Sequence, residues 1–87
     1  MKASKESVKR RLQILKGQLG GLEKMVDEDR YCMDVLTLSL AIQRAMKEMD
    51  HLIMEEHMNS CVQDGVRSGK SEKVTKELMD LFEVIRK

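Results

Sequence analysis

The sequence contains no proline and no tryptophan, and only one tyrosine and one phenylalanine. Without proline, the strongest breaker of a helix interior is missing. With so few aromatics, a common ingredient of strands is scarce, and stacking of single-stranded nucleic acid bases has almost no platform. Two cysteines permit at most one disulfide, and the basic stretch from Met1 to Leu12 carries no apolar signal-peptide segment. The thiols are therefore expected to be reduced in a cytoplasm and free for metal or redox chemistry. No apolar run approaches the roughly 20 residues that cross a bilayer, so no membrane partner is expected. A glycine-rich phosphate loop after a strand is also lacking, and nothing resembles a substrate cleft or an oxyanion hole. Neither an enzyme nor a small-molecule substrate is expected.

What is present is an 87-residue chain dominated by Lys, Glu, Leu and Met, all good helix formers. It amounts to one domain, residues 1–87, with a core too small to be amply stable alone; a metal or further copies are expected to help. Sixteen basic against fifteen acidic residues leave a net charge of +1. That balance hides an asymmetry. Lys2, Lys5, Lys9, Arg10, Arg11 and Lys16 face only Glu6 near the N-terminus, while Glu48, Asp50, Glu55 and Glu56 gather later. Repeated across an oligomer, the basic end suits phosphates. Charge alone favours a plainer reading, a solvated helix face.

The periodicity predicts three helices and no strands, an all-α fold. Val8, Leu12, Leu15, Leu19, Leu22 and Val26 recur at steps of 4, 3, 4, 3 and 4, a heptad-like stripe. Ser4 or Ser7 can cap this helix, and Asp27-Glu28-Asp29 reads as its closing turn. Gly17, Gly20 and Gly21 each cost about 1 kcal/mol there; they suggest either a closely approaching backbone or a weak, kinked helix. A second helix is predicted from about Arg30 to Gln63, capped by Asp29 and closed by Gly65. It is apolar on more than one side: Val35, Leu36, Leu38, Leu40, Ile42, Met46, Met49, Ile53 and Met54. The third, capped by Ser71, carries Val74, Leu78, Leu81 and Ile85. A helix of roughly 50 Å exceeds the width of a compact domain of this size, so its apolar face calls for a symmetric copy. An antiparallel four-helix bundle from the first two helices of two subunits is the economical arrangement, with the third helix outside it or joining two dimers.

His57 and Cys61 stand four apart on the second helix and share a face, a workable clamp for a metal though a weak signal alone. Cys32 lies 25 residues before His57, about 37 Å along a straight helix. The three cannot meet within one chain. In an antiparallel dimer with its two-fold axis near residue 46, Cys32 of one subunit falls beside His57 and Cys61 of the other. The plain alternative is two buried thiols and a surface histidine. Two thiolates and one imidazole form a soft, three-ligand set that favours copper(I), whereas structural zinc takes four ligands. His51, about 240° around the helix from His57, is expected to face elsewhere. Met33, Met54 and Met58 read as core filler.

The run Arg11-Leu12 through Lys16-Gly17-Gln18-Leu19, then Gly21-Leu22, Met25-Val26, Tyr31-Cys32-Met33-Asp34-Val35-Leu36 and His57-Met58-Asn59-Ser60-Cys61-Val62 resembles the copper-sensitive operon repressors (the CsoR type) over nearly the whole chain. The resemblance implies a cytosolic homotetramer of two antiparallel dimers that binds double-stranded operator DNA when metal-free and releases it on binding its inducer. It implies copper(I) held by Cys32 of one subunit with His57 and Cys61 of its neighbour. Tyr31 and Glu77 match the positions that such repressors hydrogen-bond around the ligand histidine; sequence alone favours the plainer reading of Glu77 as a solvated acid. Nickel and cobalt sensors of this type carry His in place of the last Cys, formaldehyde sensors commonly start from Pro, and persulfide sensors lack the His. Gly20 replaces an Arg that these repressors often carry. Candidate DNA contacts are Lys9, Arg10, Arg11, Lys16, Arg44 and Lys47; Arg11 matches a DNA-binding Arg of the family, and Lys47 is an approximate counterpart of another. Two alternatives remain open, a persulfide-sensing repressor and a metal-binding helical protein without DNA activity.

Overall fold

A computed structural model describes residues 1–86. Helix α1 spans Lys5–Asp27 and starts where the Ser4 hydroxyl accepts from the Ser7 N–H at 3.3 Å. Its stripe buries Val8 and Leu15. The helix ends in a six-residue backbone wrap: the Arg30 N–H donates to the Met25 carbonyl at 3.0 Å, and the Asp29 N–H to that of Val26 at 3.1 Å. Such a wrap needs a left-handed residue, and Asp29, at φ 50°, supplies it. Asp29 therefore does not cap the second helix as the sequence suggested. Helix α2 (Cys32–His57) begins instead on the Tyr31 carbonyl, which accepts from the Asp34 and Val35 N–H groups at 3.0 and 3.2 Å.

The second rod runs further than its sequence pattern indicated. A π-helical turn at Met58–Val62 and a short helix α3 (Gln63–Arg67) continue α2 with helical backbone angles at both joints, φ −65° and ψ −39° at Met58, φ −62° and ψ −43° at Gln63. Gly65 does not close the rod. It lies inside α3, and the closing left-handed residue is Gly69 at φ 81°, with the Lys70 N–H donating to the Gly65 carbonyl at 2.7 Å. Helix α4 (Ser71–Arg86) starts with the Val74 N–H on the Lys70 carbonyl, which puts Ser71 within the helix rather than at its cap.

The N-terminal half of α1 packs on the C-terminal half of α2: Ala3 and Val8 cluster with Met49, flanked by Leu52 and Ile53. The two helices are thus an antiparallel hairpin, with α4 folding back against α3. The chain measures 56 × 30 × 13 Å, about one helix thick. Little is covered by so thin a body. Among the described residues the buried apolar set is Ala3, Val8, Leu15, Ile42 and Met49, while Leu36, Leu40, Leu19 and Ile85 stay exposed, Leu40 at 63%. Its surface of 7243 Å² compares with roughly 5,300 Å² for a globular monomer of this mass. Within the chain, a side chain at Gly17, Gly20 or Gly21 would meet nothing within 4 Å. The close backbone expected there is not part of the same subunit, and α1 runs through these glycines as one helix.

Gly65 has a definite reason to be glycine. A Cβ there would stand 3.9 Å from Val74 Cβ but collide with Val74 Cγ2. Val74 is β-branched and stiff, so the methyl cannot simply swing away. Gly65→Ala is expected to lower unfolding free energy by about 1 kcal/mol, the overpacking cost exceeding Ala's gain in helix propensity. Adding Val74→Ala removes the colliding methyl and should recover most of the loss in denaturant melts. A stabilised single variant would refute the packing argument.

Candidate functional site

His57 closes α2, and Cys61 follows within the π turn. There the Ser60 hydroxyl donates to the Glu56 carbonyl at 2.6 Å, engaging an oxygen that an α-helix reserves for the Ser60 N–H. Wider turns of this kind recur at functional positions in helices. His57 and Cys61 line one cavity of ≈220 Å³ together with Gly65, Lys70, Lys73, Val74 and Glu77. Glu77 comes from α4, which the Gly65–Val74 contact sets against the rod. The imidazole and the thiol are half-buried, and the carboxylate lies at the exposed side of the cavity.

Cys32, the other thiol, is exposed at the first residue of α2, with exposed Tyr31 beside it. Twenty-five residues of helix separate it from His57, about 37 Å. Among the described residues no three potential ligands of the His, Cys, Asp and Glu types converge within the chain. The structure thus sets His57, Cys61 and Glu77 around one cavity without gathering them as a ligand cluster, and leaves Cys32 and Tyr31 at the far end of the same rod.

The six basic candidates divide. Arg11 from α1 and Arg44 and Lys47 from α2 border one open groove of ≈450 Å³ with Glu48, His51, Leu52 and Glu55. Lys9 and Arg10 border a second hollow with Glu6, Gln13 and Ile14, and Lys16 joins Lys9 beside Leu12, Leu15, Leu19 and Met46. Within the groove, Arg44 pairs with Glu48 and His51 with Glu55, each at 3.6 Å and each largely exposed. The Arg44–Glu48 ion pair, so open to solvent, holds little energy and yields readily to phosphate. His51 was not among the sequence candidates, although its i+4 spacing from Lys47 was there to be read. It also borders, with His57, a broader hollow of ≈540 Å³ under Leu81 and Ile85 of α4, so the two histidines are less separated than their helical angle suggests.

The model of the metal-sensitive transcriptional repressor family matches residues 4–87. The chain belongs to that family. It is 40% identical over 83 residues to the copper-sensing transcriptional repressor CsoR of Bacillus subtilis (strain 168), covering 95% of this chain and 82% of that protein. It is 35% identical over 65 residues to the copper-sensing transcriptional repressor RicR of Mycobacterium tuberculosis (strain ATCC 25618 / H37Rv), 75% of this chain and 68% of that one. Among solved structures, the copper-sensing repressor CsoR with Cu(I) from Geobacillus thermodenitrificans NG80-2 superposes with a TM-score of 0.91 at 36% identity, over 100% of this chain and 94% of that one. The nickel-responsive transcriptional regulator InrS gives 0.80 at 29% identity, over 95% and 93%. For a metal-sensitive repressor, the cavity around His57 and Cys61 and the Arg11 groove are the two regions whose chemistry calls for explanation.

The π turn itself is testable. Ser60→Ala removes the hydroxyl from the Glu56 carbonyl, and Met58–Val62 is expected to rewind as α-helix. Backbone chemical shifts of those five residues should move while those of α1 hold, with a stability change of about 1 kcal/mol or less. Unchanged shifts would mean that the turn does not depend on Ser60.

Proposed function

We propose that this chain is a cytoplasmic, copper(I)-responsive transcriptional repressor, bound to operator DNA when metal-free and released when copper(I) joins Cys32 of one subunit to His57 and Cys61 of another. The observation that carries this reading is the half-built cavity: an imidazole and a thiol on one lining, with the remaining thiol at the opposite end of the same rod. An antiparallel partner is what brings such ends together. The surface supports it as well. The excess over a compact monomer is roughly 1,900 Å², and a standard interface covers about 800 Å² per partner. That excess of total surface is enough for a bundle dimer and its further pairing into a tetramer.

The donors fit the ion. Two thiolates and one neutral imidazole supply soft ligands in the low number that copper(I) accepts. Nickel sensors of this type carry histidine at the position of Cys61, which favours copper here. Cys61 in the π turn and His57 just before it line one cavity, and Glu77 on the same lining offers a carboxylate to fix the imidazole's tautomer. Tyr31 accompanies Cys32 and so reaches the same site from the partner subunit. Because Glu77 belongs to α4, ordering of the ligands biases the placement of that helix. Arg11, Arg44 and Lys47 supply the phosphate-facing charge, with Lys9, Arg10 and Lys16 extending it along α1. Nothing in the chain resembles a recognition helix of the helix-turn-helix kind, so phosphate contacts and DNA shape are the expected means of reading. Linkage then requires that DNA weaken copper binding by the same factor by which copper weakens DNA binding.

Copper(I) titration with DNA binding read in parallel tests the reading. X-ray absorption should give three-coordinate copper with two sulfurs and one light ligand. Cys61→Ser should keep operator affinity and lose most of its response to copper. Four-coordinate zinc in protein purified under reducing conditions, or no retarded DNA band even at low salt, would overturn the assignment.

The groove makes its own prediction. Arg11→Ala should weaken operator and non-operator DNA alike and reduce the slope of log affinity against log salt by about 1. Copper affinity of the DNA-free protein should be unaltered. An unchanged salt slope would remove Arg11 from the interface.

A further inference from the structure

Two cations border the Cys61 half of the ligand set and have no part in the function proposed above. Lys70 lies in the turn after Gly69 and Lys73 in the first turn of α4, and both line the ≈220 Å³ cavity with His57 and Cys61. Among the described residues Glu77 is the one acid on that lining, so lysines outnumber carboxylates there two to one. Among the described residues neither lysine is paired, whereas Lys76, a short step along α4, is engaged by Asp80 at 3.1 Å.

The charge matters for the form in which copper(I) arrives. Among reduced thiols a soft monovalent ion is carried by thiolates. A bis-thiolate complex sums one positive and two negative charges, so its core is an anion before any carboxylate on the carrier is counted. Walled clefts of one sign concentrate ligands of the other. We infer that this cavity receives copper(I) as an anionic small-molecule thiolate complex, with Lys70 and Lys73 drawing it onto His57 and Cys61. The inference rests on the copper reading of the same site. Transfer is a ligand substitution: Cys61 Sγ bonds to copper as one carrier thiolate leaves, and the Cys61 proton goes to the departing thiolate. The second carrier thiolate leaves in the same way as Cys32 of the partner subunit binds. Copper stays monovalent, and no electrons change hands.

Two carriers with the same copper–sulfur chemistry and opposite outer charge separate this from general effects: glutathione, which is anionic, and cysteamine, whose ammonium groups make its complex cationic. Uptake by the full-length wild type and the Lys70→Gln/Lys73→Gln double variant is followed by the sulfur-to-copper absorption in stopped flow. The variant should take copper from the glutathione complex roughly tenfold more slowly and from the cysteamine complex at an equal or higher rate. Lys76→Gln, outside the cavity, should leave both rates close to wild type. In the wild type, added salt should slow uptake from glutathione but not from cysteamine, a measurement independent of how well the variant folds. Equal slowing with both carriers, no slowing with either, or an equal loss from Lys76→Gln overturns the docking role while leaving the copper site intact. No uptake by the wild type from either complex sinks the copper reading and this inference together.

Discussion

A two-helix hairpin about 13 Å thick has two broad faces, and a chain of this length has only one further helix with which to cover them. That shortage of cover governs the molecule. Among the described residues the buried apolar set is small, no large side chain is fully enclosed, and residues such as Leu36, Leu40 and Leu19 remain open on the long rods. Apolar area left in water forgoes about 25 cal/mol per Å² of stabilisation. For a small domain whose net stability is a few kcal/mol, such a face is hard to sustain without a partner. Proline-free sequence and good helix formers keep the second rod straight enough that a copy can lie along its whole length.

The same constraint decides where metal chemistry is possible. Ligands at opposite ends of one straight helix are useless to each other within a chain and complementary between antiparallel chains. A site assembled in this way depends on association, so its formation energy and the subunit contact are linked. The basic groove of Arg11, Arg44 and Lys47 lies across both helices of the hairpin, so any change in how α1 and α2 are held shifts the spacing of its charges.

Much of this was legible in the sequence, and particular residues show why. The α1 stripe worked because its period is regular and Ser4 stands at the proper distance before it. The separation of Cys32 from His57 worked because helical rise is nearly constant and no proline intervenes. Where local rules compete, reading was less sure. Asp29 can cap a helix with its side chain or reverse the chain with its backbone, and the need to close α1 took the second use. Gly65 and Gly69 are both credible helix terminators. The first is kept small by Val74, more than eight residues along, which no local pattern announces. The π turn is beyond the reach of periodicity, since one widened turn leaves the apolar spacing nearly untouched. The angle of His51 to His57 says nothing of the groove it borders with Arg11 from α1, because that groove is made by a second helix.

The joint between the rod and α4 brings these strands together. α4 is held to the rest of the chain chiefly through α3, by the Gly65–Val74 contact and the wrap around Gly69, and keeps apolar residues such as Phe82 and Ile85 exposed. Elements with few buried contacts are those whose position shifts at low energetic cost. In the proposed site, Cys61 on the rod and Glu77 on α4 line one cavity at that joint, and His57 borders both this cavity and the hollow under Leu81 and Ile85. His51 and Lys47 line both the basic groove and the hollow beneath Leu81 and Ile85. A ligand set spanning the joint would act on this helix, which shares that hollow with Lys47 and His51 of the charged groove. In the function proposed above, that shared hollow is the shortest connection between the metal cavity and the charged groove, since one helix borders both.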